Sequence, residues 1–257
     1  MNPAPYLIDY DRTSRGQQSR VCVVCSPHTH VGTTLTARLL LDFFVSQYQN
    51  VVAFDTNYLD PRLASIFPRE VEIVDLASTQ GQMALFDRLI EDDKLPKVVD
   101  LWHASYERFF RQAEDIGFFQ EAQARAVKCN ILLQTDPRRR FAHELMALPG
   151  RCPGAAVILV ENEELAGFAA DPASQTLDRL HQRRFVIPKL DPTVQHILDH
   201  PEVLLRRFMS MWVPDDLRTI QDALRQSVLP VFNQFEILEL ASELGLPVRS
   251  LLPRRIR

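Results

Sequence analysis

The stretch RVCVVCSPHTHVGTTLTARLLLDFF, Arg20 to Phe44, decides how the chain is read. Its first run, Arg20–Cys25, is short, rich in valine and without polar alternation, as expected of a strand covered on both faces. A loop with one glycine, Gly32, follows. From Thr34 to Tyr48 the pattern is helix-like and strongly apolar, broken by Asp42. Strand, loop and helix in this order open a βαβ unit.

Similar apolar runs recur along the chain. VVAFD (Val51–Asp55), VEIVDL (Val71–Leu76), KVVDLW (Lys97–Trp102), CNILLQT (Cys129–Thr135), AAVILVE (Ala155–Glu161) and RFVIP (Arg184–Pro188) each read as a strand. Between them lie helix-like segments at Gln82–Glu91, Ser105–Ala126, Arg138–Leu148 and Ala173–Gln182. In the second of these, Phe109, Phe110, Ile116 and Phe119 share a helical spacing and read as core. Such alternation implies right-handed crossovers and a doubly wound, mostly parallel α/β sheet with helices on both faces.

Beyond residue 190 the pattern becomes helices punctuated by Pro192, Pro201, Pro214, Pro230 and Pro247. Asp215 reads as a helix N-cap, and Gly245 followed by Pro247 as its stop. The expectation is a single domain over 1–257, with an N-terminal arm (1–18) and a helical C-terminal part (190–257) covering the sheet.

With 46% hydrophobic and 24% charged residues the chain supports a large core. A net charge of −4 argues against a general electrostatic grip on nucleic acid. No apolar run has the length of a membrane span, and the N-terminal stretch lacks the pattern of a secretory signal. A cytoplasmic location is expected. The basic C-terminal LLPRRIR is too short for an amphipathic anchor by itself, so no membrane contact is expected. Cys22 and Cys25 lie three apart in a strand, so they should face opposite ways as buried thiols.

In an open α/β sheet, ligands bind at the carboxyl ends of the strands. The loop Ser26–Thr33 is therefore where a site belongs. A phosphate loop needs small residues, so that backbone N–H groups can curl round the anion at a helix N-terminus. It also needs a lysine on the β- and γ-phosphates and a hydroxyl on Mg²⁺. Against GxxxxGK(S/T), Pro27–Thr34 keeps Gly32 and Thr34, but Pro27 replaces the first glycine and Thr33 the lysine.

The register resembles the deviant loop of the ParA/MinD-type ATPases, KGGVGK(S/T). There His28 falls on the signature lysine, Thr29 and His30 on the glycine pair, and Val31 and Gly32 on the "VG". Thr33 replaces the second lysine and Thr34 keeps the Mg²⁺-side threonine. The order of later segments is similar too. NVVAFDTNYLDPRLASIF resembles the second strand with its aspartate, Asp55, and VVDLWHAS the Walker B strand with Asp100 at its tip. ILLQTDPRRRFAHELM and FVIPKLDPTVQHILDHPEVLL resemble the later strand–helix and tail.

The resemblance implies a P-loop NTPase-like fold, with Asp55 and Asp100 in catalytic positions and the loop His28–Thr34 around the nucleotide. It further implies Asn162 at the base, Thr34 and Asp100 on Mg²⁺, ATP or ADP as cofactor, and a homodimer with a protein partner. The departures point elsewhere. Both family lysines are gone, Asn57 stands on the second acidic position of the second-strand motif, and the chain has only eight glycines. Losing charged contacts to phosphate costs about 1.5–3 kcal/mol for each hydrogen bond.

The expectation is a pseudo-ATPase with very slow or absent hydrolysis, and a loop that holds no nucleotide is the alternative on the cofactor side. The alternative on the enzyme side is an active ATPase in cell division, partitioning or conjugation and envelope assembly. In it an arginine such as Arg138, or one from a partner chain, would do the lysine's work. Asp55 and Asp100 as mere caps of following segments, and Thr34 as a helix-opening residue, are the plain readings beside these. His28 and His30 form an H-x-H that lacks an evident third metal ligand.

Overall fold

All seven apolar runs become strands: β1 (Arg20–Cys25), β2 (Val52–Asp55), β3 (Val71–Ile73), β4 (Pro96–Asp100), β5 (Lys128–Gln134), β6 (Ala156–Asn162) and β7 (Phe185–Ile187). They form one sheet in the order β3-β2-β4-β1-β5-β6-β7, and every pairing is parallel. The computed structural model describes residues 18–48, 50–138, 142–165, 184–200 and 203–246. The expected helix Ala173–Gln182, nearly all of the N-terminal arm and the LLPRRIR tail lie outside them.

The helices are α1 (Thr33–Gln47), α2 (Arg62–Ile66), α3 (Thr79–Ile90), α4 (Tyr106–Asp115), α5 (Phe118–Ala124), α6 (Ala142–Arg151), α7 (Pro192–Leu198), α8 (Leu205–Ser210) and α9 (Asp215–Leu244). Successive side chains of a strand point to opposite faces, and β1 shows it. Cys22 and Val24 join a core with α1, α2, α7, α8 and α9, whereas Val21, Val23 and Cys25 join a second core with α3, α4, α5 and the end of α6. Helices thus cover both faces, as expected, and the four cysteines are free, buried thiols.

The greasiest helix has the most enclosed place. Every residue of α1 from Thr36 to Phe44 is buried. It lies between the sheet and α9, where Phe43 meets the rings of Phe232 and Phe235 at centroid distances of 5.6 and 5.7 Å. Two ion pairs are built into this layer. Arg20 at the start of β1 pairs with Glu239 of α9, which also accepts a hydrogen bond from the Tyr48 hydroxyl. Within α1, Arg38 stands 3.6 Å from Asp42, and the Asp42 carboxylate accepts from the Leu205 N–H at 3.1 and 2.9 Å, fixing the start of α8.

Three local readings need correction. Ser105–Ala126 is not one helix: Gly117, at φ 65°, breaks it into α4 and α5. The break keeps Phe109, Phe110, Phe118 and Phe119 buried but leaves Ile116 half exposed, outside the core. The helix read from Asp215 has Pro214 at its cap, with Asp215 and Asp216 in the first turn facing the positive end of the dipole. Pro230 does not divide α9, which runs 30 residues to a left-handed Gly245. One turn beyond that proline, Gln234 meets the backbone of the edge strand β7. It accepts from the Val186 N–H at 2.7 Å and donates to the Val186 carbonyl at 2.9 Å.

Candidate functional site

The chain leaves β1 toward β2 on one side and β5 toward β6 on the other, so the connections diverge beside β1. Ligands bind in the crevice at such a reversal. The loop there runs from Ser26, whose hydroxyl accepts from the His28 N–H at 3.2 Å, to Gly32, the cap of α1. His30 and Gly32 both have positive φ, 58° and 99°. For Gly32 the requirement is double, because a Cβ there would also lie 2.7 Å from Asn162 Nδ2.

Asn162 at the end of β6 donates to the Val31 carbonyl at 3.2 Å. Gln134 at the end of β5 donates to Thr36 Oγ1 and, at 3.4 Å, to the Gly32 carbonyl. The loop is thus braced from the β5 and β6 side. Its other side opens on a cleft of about 430 Å³. His28, Thr29, His30, Gly32, Thr33 and Thr34 line one wall of it. Asn57, Asp60, Arg62 and Ile66 come from the segment after β2, Trp102 and His103 from the turn after β4, and Leu198 and Asp199 from the end of α7. Asn162 and the buried Val31 are not among the lining residues.

The two aspartates are adjacent in register across β2 and β4 but differ in their surroundings. Asp55 Oδ1 accepts from the Asn57 N–H at 3.0 Å, and Oδ2 from Leu63 and Ala64 at 2.9 and 3.4 Å. It therefore holds the start of α2. Burial raises its pKa, and those amides pull it back.

Asp100 faces the cleft beside the Thr34 side chain, which acts to lower its pKa. Burial, then the charge of Asp55, pushes its pKa up to about 7. A carboxylate and a hydroxyl meeting at a helix N-terminus fit Mg²⁺, which takes one or two protein oxygens and completes its shell with water and phosphate. Bound there, the cation would supply charge neutralisation and hold Asp100 ionised. No group of three or more metal-ligating side chains exists among the described residues, which leaves the His28–His30 pair without a third ligand there.

Among the described residues no lysine lines the cleft. Arg138, the replacement in the alternative reading, is turned to Asp136: its Nε and Nη2 donate to that carboxylate at 2.7 and 3.0 Å, and it is not a lining residue. Among the described residues the cations that line the cleft are Arg38 and Arg62, and His28, His30 and His103 line it too. Burial, and then His30, lowers the pKa of His103. Trp102 packs between Tyr58 and His103 at centroid distances of 6.1 and 5.6 Å, giving the mouth an aromatic edge. The sequence signal for Arg38 was a charge inside an otherwise apolar run, one turn after Thr34. For Arg62 there was none.

The sequence matches no known family and no curated protein. Among solved structures the chain is similar to a nucleotide-binding protein from Archaeoglobus fulgidus in complex with ADP. The TM-score is 0.42 at 14% identity, covering 91% of each chain. The fold is a doubly wound α/β sheet, and any functional reading rests on the cleft itself.

Proposed function

We propose that the chain is a ParA/MinD-like protein whose nucleotide site has degenerated, a pseudo-ATPase that acts in the cytoplasm as a homodimer or on a protein partner. One observation carries the reading: Thr34 and Asp100 still meet at the start of α1 in an open cleft, while no lysine among the described residues lines that cleft. The residues that would hold a cation are kept. Those that would carry negative charge off a transferring phosphoryl group are not, and that loss can cost several orders of magnitude in rate.

In this reading the N-terminal amides of α1 receive a phosphate, Thr34 and Asp100 hold Mg²⁺, and Asp55 fixes α2 beside them rather than touching the nucleotide. The test is calorimetric titration of ATP, ADP and GTP, with and without Mg²⁺, into wild type and Thr33→Lys. Weak wild-type binding that tightens at least tenfold in the variant is expected, since a charged phosphate contact contributes about 1.5–3 kcal/mol. Hydrolysis at the rate of lysine-bearing enzymes would overturn the pseudo-ATPase reading. It would favour the rival, an active ATPase that uses arginine, for which Arg38 and Arg62 rather than Arg138 are the candidates.

A further inference from the structure

The deep end of the cleft, between α1, α2 and the end of α7, holds a cation two of whose donors are unpaired. The Arg38 side chain is 2% exposed. Its Nη2 donates to the Val203 carbonyl at 2.6 Å and lies 3.6 Å from Asp42, beyond hydrogen-bond distance. Its Nε and Nη1 have no hydrogen-bond partner among the described residues. The Phe67 ring covers one face of the guanidinium, 4.4 Å from its carbon. Guanidinium keeps its proton in proteins, so this charge cannot be relieved by neutralisation.

We propose that Arg38 anchors a phosphoryl anion in this cleft, as the second charge site beside the N-terminus of α1. Thr34 and Arg38 lie four residues apart, hence on one face of the helix, and both line the cavity. A ligand with two linked phosphoryl groups spans from the first-turn amides to Arg38, whose unpaired donors are buried in the cavity wall and turn toward it on binding, where the guanidinium fork suits phosphate oxygens. Arg62 lies on the opposite wall, in an exposed pair with Asp60 at 3.1 Å that an incoming anion can replace. Asp199 lines the same cavity and acts on Arg38 through its charge, so it opposes the anion. The inference rests on the reading of the cleft as a phosphate site and assigns a side chain that binds the anion there.

The same chemistry comes from inorganic pyrophosphate or from the diphosphate of a nucleotide, and calorimetry on the full chain separates them. Pyrophosphate, orthophosphate and ADP are titrated into wild type, Arg38→Gln, Arg62→Ala and Asp199→Asn. Arg38→Gln is expected to weaken pyrophosphate at least tenfold and Arg62→Ala about threefold, with orthophosphate weakest throughout. Asp199→Asn is expected to tighten pyrophosphate about threefold. Because Asp199 is exposed, that variant keeps the test decisive if Arg38→Gln fails to fold.

Pyrophosphate binding that depends on Arg38, without ADP binding, supports the anchor and overturns the nucleotide reading. ADP binding that is unchanged in Arg38→Gln and Asp199→Asn leaves the nucleotide reading standing and overturns the anchor. Failure of wild type to bind any of the three overturns both.

Discussion

The surroundings of Asp100 hold its carboxyl well above the usual carboxylate range, and this has a thermodynamic consequence. Its pKa is about 7 in the folded chain against roughly 3.9 unfolded. Between those values the folded state binds more protons than the unfolded one, so this group's contribution to stability is fully present in acid and is lost as pH rises toward 7. Asp100→Asn never ionises. It is expected to be more stable than wild type, by little near pH 4 and by most near pH 8, as read from urea midpoints at each pH. A constant difference would mean that Asp100 titrates normally. Asp42, also raised by burial, to about 6, keeps part of the slope in the variant.

At Gly32 backbone and side-chain constraints coincide. Gly32→Ala meets both φ 99° and Asn162, and is expected to cost about 1–3 kcal/mol. Adding Asn162→Ala removes the collision but not the strain, so only part of the loss should return. The loop was legible in the sequence because strand, glycine, threonine and helix keep their spacing. The groups that brace its backbone were not, since Gln134 and Asn162 come from the ends of strands far away in the chain.

Among the elements, α9 depends most on contacts remote in sequence. Its Glu239 is buried against Arg20 and Tyr48. Glu239→Ala leaves the Arg20 guanidinium buried without its carboxylate, and should cost about 3–5 kcal/mol in thermal or urea unfolding. A loss below about 1 kcal/mol would mean that the pair behaves like one at the surface. The strands were legible because burial on both faces leaves continuous Val and Ile runs. Helix ends were less so. α2 is too short to show a period, and it is held by Asp55, which accepts from the Leu63 and Ala64 amides, rather than by a cap next to it in sequence. Gly117 sits inside an apolar periodicity that continues across it, so pattern alone did not reveal the break.

For the whole molecule, one core lies on each face of the sheet, and α9 lines the one that contains α1. If the chain is a single folding unit, as its pattern suggests, a chain ending at Pro214 would expose Phe43 and the rest of that layer. It should lose cooperative unfolding and near-ultraviolet dichroism while keeping helical signal and binding an apolar dye. A sharp transition in the shortened chain would instead make 215–246 an accessory helix. No helix among the described residues is long and apolar enough to cross a membrane.

The sequence by itself determined the seven strands, their parallel pairing, the helices on both faces and the place of the loop. These follow from local runs of apolar residues and from the handedness of crossovers. Only the tertiary structure decided which charges meet. It turned Arg138 to Asp136, gave Asp55 to α2, set Asp100 against Thr34, and left Arg38 facing a cleft with donors unpaired. The physical reason is that burial is encoded residue by residue, whereas an electrostatic partner depends on which distant segments the packed layers bring together.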